Sequence, residues 1–169
     1  MNLRNILIGA VAISAIATVA SAQTSAVGTA ATEAKIIQPI AITSAGTLNF
    51  GTITRPSAAS VVRVTAANAR SVVSGNATLA AGGSAVPTFT VTGEGGLTYS
   101  LTAPAFDLAG PGQATATVTP VASIEEGLLD GDEAEVGTQT FTVGGNLALG
   151  ADQPLGTYSG TLSVTVAYN

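Results

Sequence analysis

The chain lacks the side chains on which most catalytic and metal sites depend. Its 169 residues include no cysteine, no histidine and no tryptophan, and only 9% are charged. Without histidine and cysteine it cannot form a Ser-His-Asp triad, a cysteine nucleophile or a zinc site with nitrogen or sulfur ligands. Lys35 is the single lysine, and its neighbours give no support for a Ser–Lys dyad. We therefore expect no enzymatic activity and no cofactor.

The first 22 residues have the pattern of a secretory signal peptide. Arg4 precedes an apolar run over residues 6–19, and Ala20-Ser21-Ala22 resembles a cleavage site. An uncleaved membrane anchor is the alternative, but the apolar run is short for a bilayer span. We expect an exported protein in the periplasm, at the cell surface or in an extracellular fibre. Because it has no disulfides, its stability must come from burial and strand pairing.

Acidic residues outnumber basic ones, and most of them lie in one segment. Removing residues 1–22 leaves four basic and ten acidic residues, a formal charge of −6, which argues against nucleic acid or anionic lipid as a partner. Six of the ten lie within residues 123–137. Asp130, Asp132 and Glu133 are weak calcium candidates, because Ala134 and Glu135 break the EF-hand pattern. A solvated acidic loop is the simpler interpretation.

The rest of the chain is a series of short segments with strand character, separated by glycine and proline turns. Alternating or β-branched segments occur at residues 47–54, 60–66, 86–92, 97–102, 114–119 and 138–143. Residues 104–112 are expected to form a loop and residues 144–146 a turn. No helical periodicity occurs after residue 22. This spacing predicts an all-β protein, an immunoglobulin-like antiparallel β-sandwich, with a β-barrel as the alternative.

The most regular alternation lies in the final segment, residues 156–168. Its even positions are glycine, aromatic or aliphatic, and its odd positions are mostly threonine and serine. A strand of this kind covers a core with one face and meets water with the other. Its backbone still needs a partner strand, either from the same chain or from another copy. The even positions are Gly156, Tyr158, Gly160, Leu162, Val164, Val166 and Tyr168.

Four sequence stretches carry a resemblance that covers nearly the whole chain after residue 22. They are PIAIT (39–43), LNFGTI (48–53), FTVTGEGGLTYSLTAP (89–104) and GTYSGTLSVTVAY (156–168). They resemble an uncharacterised family of exported bacterial β-domains, the domain-of-unknown-function family four-four-zero-two. The penultimate Tyr168, and Gly156 as the fourteenth residue from the end, are also similar to the C-terminal motif of chaperone–usher and spore-coat-protein-U type pilin subunits.

The pilin resemblance implies a sandwich that lacks one strand and receives it from another subunit. A donor strand from the N-terminal extension of the next subunit would fill the groove, and a periplasmic chaperone would cover it before an outer-membrane usher assembles the fibre. Partners would be the protein itself or other pilin-like subunits. Residues 1–22 would be the signal peptide, residues 23–37 the donor extension and residues 38–169 the sandwich.

The resemblance also implies an assembly interface with two sides. The acceptor side is Gly156, Tyr158, Leu162, Val164, Val166 and Tyr168, and the donor side is Ala30, Ala34 and Ile36. Ile36 is the single large residue at the even positions of the extension, so insertion would be weak per residue. The alternative function is a monomeric periplasmic or cell-surface binding module that presents loops 104–112 and 123–137 to an unknown ligand.

Overall fold

The computed structural model describes residues 25–169, so the expected signal peptide lies outside the described residues. The chain divides into two units, residues 1–34 and residues 35–169. In the first unit, residues 25–34 are exposed and have no regular secondary structure. The second unit begins three residues before the predicted sandwich boundary at 38, and it contains every strand described below.

Ten strands and one short 3₁₀ turn make up the regular structure of the second unit. The turn is Pro111–Gln113, and no helix among the described residues is long and apolar enough to cross a membrane. The strands are β1 (Ala41–Ala45), β2 (Ser60–Val64), β3 (Arg70–Ser74), β4 (Thr88–Glu94), β5 (Thr98–Thr102), β6 (Phe106–Ala109), β7 (Thr115–Ala122), β8 (Glu126–Leu128), β9 (Val136–Leu149) and β10 (Thr165–Tyr168).

The strands form two antiparallel sheets. The larger has the order β1-β4-β9-β2-β3, with β7 pairing β9 and β6 pairing β7, and the smaller has the order β10-β5-β8. The sheets do not close into a barrel. The predicted all-β antiparallel sandwich is therefore confirmed.

Strand β9 connects the two halves of the larger sheet. Its residues 136–142 pair with β4, and residues 145–149 pair with β2. The strand runs straight through Gly144 and Gly145, so the predicted turn at 144–146 is wrong. A Cβ atom on Gly144 would collide with the carbonyl oxygen of Val64. These glycines therefore serve the close approach of neighbouring backbone and do not mark a turn.

Two clusters of buried side chains fill the sandwich. One contains Val62, Val64, Val118 and Leu147, and the other contains Val91, Tyr99, Leu129 and Val143 among others. In the second cluster the rings of Phe89 and Phe141 stack with their centroids 5.4 Å apart. Because β4 and β9 lie in the larger sheet and β5 in the smaller, this cluster joins the two sheets.

Candidate functional site

A cleft runs between two continuous stretches of the second unit. A cavity of about 790 Å³ is lined along one side by most of residues 44–56 and along the other by residues 153–162. A smaller cavity of about 260 Å³ continues it between residues 42–44 and 162–164. We call the two cavities together the groove. Its first lip is residues 41–54 and its second lip is residues 155–164.

Neither lip is paired with the other. The first lip pairs through β1 with β4, and the second lip is bonded to β6 through Ser159 and Ala109, with N–O distances of 2.8 and 3.0 Å. Within residues 25–169, no backbone hydrogen bond joins the first lip to the second. Each lip therefore has a side on which its backbone groups lack a partner strand, and such groups can pair with an added strand.

The groove opens onto apolar side chains that the sandwich covers only in part. Phe106, Leu108 and Leu149 from the larger sheet line it and are half-buried. Leu48 and Ile53 of the first lip, and Tyr158 and Leu162 of the second, are half-buried in the same way. An added strand would remove this apolar surface from water, which is the main favourable term in such an association.

One end of the groove is closed by hydrogen bonds around the Tyr168 hydroxyl. This hydroxyl accepts a hydrogen bond from the backbone N–H of Glu94 at 2.7 Å and donates one to the carbonyl oxygen of Gln38 at 2.9 Å. The contacts join the end of β10, the end of β4 and the chain just before β1. We call Gln38, Glu94 and Tyr168 the clamp.

The Glu94 carboxylate holds the other backbone group of Gln38. It accepts hydrogen bonds from the N–H of Ala134 at 2.8 Å and from the N–H of Gln38 at 3.2 Å. The pKa of Glu94 lies below its usual value, chiefly because of the bond from Ala134 and next because of the bond from Gln38. The nearby charge of Lys35 also lowers it, whereas burial acts in the opposite direction. Lys35 itself pairs with Glu133 at 2.9 Å.

The opposite end of the groove is closed by a second set of polar contacts. The N–H of Asp152 donates to the carbonyl oxygen of Pro56 at 2.9 Å, and Arg55 Nη2 donates to the carbonyl oxygen of Asp152 at 3.0 Å. The two side chains also approach within 3.8 Å. The groove is thus a bounded slot between its two closed ends.

Arg70 contacts the backbone of the first lip. Its guanidinium donates to the carbonyl oxygen of Phe50 at 3.0 Å and to that of Ala80 at 2.9 Å. Gly51 has a φ of 71°, and a Cβ atom there would collide with the guanidinium. Glycine is therefore required at this position by both the backbone conformation and the space. Sequence reasoning did not identify Arg70 or Glu94, because these contacts are made between distant parts of the chain.

The structure brings most of the predicted acceptor residues to the groove. Gly156, Tyr158 and Leu162 line the larger cavity, and Val164 lines the smaller one. From Leu162 onward, even positions are half-buried and odd positions exposed, as the alternation predicts. Leu162, Val164, Val166 and Tyr168 all pack against the second core cluster, but Val166 is not among the lining residues and Tyr168 forms the clamp.

The predicted donor residues lie at and before the start of the second unit. Ala30 and Ala34 lie in the first unit, within its exposed residues 25–34. Ile36 is 94% exposed and lies within the second unit, next to Lys35. Their role as donor residues stays a prediction.

The calcium candidates do not form a cluster. Asp130 and Asp132 are exposed, and Glu133 is engaged by Lys35. Among residues 25–169, no three acidic side chains are grouped in a way that could hold a metal ion. The acidic segment instead contacts the clamp through Ala134.

Comparison with known proteins gives one match. No curated protein and no solved structure matches the chain. A family model matches residues 40–168, the stretch that holds both lips of the groove and all ten strands. The chain belongs to the family described as "Domain of unknown function (DUF4402)".

Proposed function

We propose that the protein is an exported structural subunit whose groove accepts an extended strand from a second subunit, so that subunits join into a surface fibre. The observation that carries this proposal is the groove itself. Two stretches of backbone that do not pair with each other lie on either side of apolar side chains that are only half-buried. This combination is what a sandwich presents when a strand that completes its core is supplied from outside.

An extended peptide matches the groove better than a small molecule does. A peptide can bond to unpaired backbone groups along both lips, and its alternate side chains would point to the apolar floor. The groove is long and bounded by backbone on two sides, whereas a small-molecule pocket is usually concave with a few convergent polar groups. Exposed edges of this kind otherwise promote aggregation, so a periplasmic chaperone would supply a provisional strand before an usher adds the subunit to the fibre.

The donor would be the extension, residues 23–37, of another copy or of another pilin-like subunit. Within it, residues 25–34 are exposed and equal the second lip in length. Because one surface of each copy would bind a different surface of the next, the contact would be heterologous. Heterologous contacts that do not close into a ring produce filaments.

A charged residue on the groove side of the second lip tests the proposal. Val164 is half-buried and lines the groove, and the adjacent Thr165 points outward and is exposed. We expect Val164→Asp to abolish oligomers, and Thr165→Asp, with the same added charge one position away, to leave them intact. The measurement is size exclusion with light scattering on protein exported by its host and purified without denaturant.

Removal of residues 23–31 gives an independent test from the donor side. We expect the shortened chain to fold, because the sandwich begins later, and to lose association with other copies while still accepting a donor from the complete chain. If the complete chain is a single stable monomer and neither change affects its mass, the proposal is wrong.

A further inference from the structure

We infer that the clamp directs the N-terminal extension away from the chain's own groove, so that the groove is filled by the extension of a second copy. This inference rests on the proposed function and concerns the source of the donor strand. The alternative is self-completion, in which each copy fills its own groove and no fibre forms.

Self-completion would require a sharp reversal of the chain just before β1. The extension continues directly into β1, which forms the first part of the first lip. To enter its own groove, the chain would have to form a hairpin with β1 as one arm and the extension as the other. The turn of that hairpin would fall within residues 35–40.

The clamp fixes the backbone where that turn would form. Both backbone groups of Gln38 are engaged, the N–H by the Glu94 carboxylate and the carbonyl by the Tyr168 hydroxyl. Pro39 follows with a restricted φ, and Lys35 is held at 2.9 Å from Glu133 of the acidic segment. The chain therefore leaves the sandwich beside the acidic segment.

The clamp also obstructs the end of the groove through which a hairpin would have to fold. The bond from Tyr168 to Gln38 joins the C-terminal continuation of the second lip to the residues that precede the first lip. A self-inserting extension would have to break this bond and the bond from Gln38 to Glu94. A second copy's extension enters without disturbing either bond.

The absence of cysteine allows a direct crosslinking test. Ala31→Cys, on the outward face of the extension, and Thr161→Cys in the second lip, both at exposed positions, are introduced together into the complete chain. The purified protein is treated with a short flexible bismaleimide at low concentration and separated on a denaturing gel. A link between copies gives a ladder of multimers, and a link within one copy gives a monomer of altered mobility.

With the clamp intact, we expect multimers to dominate. Tyr168→Phe removes both bonds of the hydroxyl and is expected to raise the ratio of internally linked monomer to multimer roughly tenfold, the factor that about one net hydrogen bond allows. Glu94→Gln provides a second variant that retains a similar shape, and it should shift the ratio in the same direction. Tyr99→Phe is the matched control, because its hydroxyl bonds Gln139 and no residue of the clamp, and it should leave the ratio unchanged.

The outcomes separate the two proposals. Internally linked monomer as the main product with the clamp intact would overturn the role of the clamp while leaving strand insertion in place. Multimers that persist unchanged in both clamp variants would also overturn it. No crosslink in any variant would mean that the extension does not enter the groove, and both proposals would be wrong.

Discussion

The Tyr168 hydroxyl offers a stability prediction that holds whether or not the protein forms fibres. Tyr168→Phe retains the ring and removes the bonds to the Glu94 N–H at 2.7 Å and to the Gln38 carbonyl oxygen at 2.9 Å. Glu94 is only 3% exposed, so water cannot readily replace the lost partner of its N–H. An unsatisfied buried donor costs about 1–3 kcal/mol and the second bond contributes about 1 kcal/mol, so we expect a loss of about 2–4 kcal/mol.

Thermal and guanidinium unfolding of the complete chain measure this loss. For a protein of this size the melting temperature should fall by about 2–4 °C for each kcal/mol. Tyr99→Phe is again the control, since it removes one hydroxyl bond, to Gln139 at 2.8 Å, and should have the smaller effect. A Tyr168→Phe protein that is as stable as the natural chain, or more stable than the Tyr99→Phe protein, would refute the clamp geometry.

Three further predictions concern the donor, the first lip and the clamp carboxylate. Ala30→Leu should slow dissociation of assembled subunits, because each added buried CH₂ contributes about 0.8 kcal/mol. Ala31→Leu, the same change on the opposite face, should not slow it. Equal half-lives of the two assemblies in denaturant would contradict this prediction. Arg70→Lys should lower the unfolding free energy by about 1–2 kcal/mol because one ammonium cannot reproduce the fork of carbonyl bonds, and unchanged guanidinium unfolding would contradict it. Because the folded-state pKa of Glu94 is lowered, the ionised carboxylate contributes its full stabilisation above pH 4.5, the ordinary value, and loses it as the pH falls below that value. Glu94→Gln should therefore flatten the fall in melting temperature on acidification. Parallel pH profiles for the two proteins would contradict this prediction.

The sandwich could be predicted because its strands are half-buried. Residues 60–66, 97–102 and 114–119 were predicted as strands and correspond to β2, β5 and β7. In each case the alternation of side chains reports one face in the core and one in water. The same alternation continues over residues 162–168, where even positions are half-buried and odd positions exposed, although only residues 165–168 form a regular ladder.

Features that depend on long-range packing could not be predicted from local pattern. Strand β6 lies within residues 104–112, which were predicted as a loop, because its regular partner β7 determines its conformation. Residues 47–54 were predicted as a strand but make only isolated bridges, at Asn49 and Ile53. The glycines within β9 carried a turn signal, although they permit neighbouring backbone to approach closely.

The clamp could not be predicted, because the sequence around each of its residues indicates a different local structure. Glu94 lies in the sequence Gly93-Glu94-Gly95-Gly96, which reads as a hairpin loop with a solvated carboxylate. The fold buries that carboxylate and gives it two backbone donors. Tyr168 could be recognised as special only by its resemblance to a known motif. Nothing in its neighbourhood indicates contacts with residues more than seventy positions away.

In the proposed assembly, the composition of the extension determines where affinity and selectivity arise. The even positions of residues 25–34 include three alanines, whose buried methyl groups would supply only about 2–3 kcal/mol. Backbone hydrogen bonds, at about 1 kcal/mol each, would exceed this along a strand of this length. A ladder of backbone bonds discriminates poorly between donors, because every chain carries the same backbone groups. Selection of a second copy over the chain's own extension must therefore come from where the extension leaves the sandwich, and in this protein the clamp fixes that point.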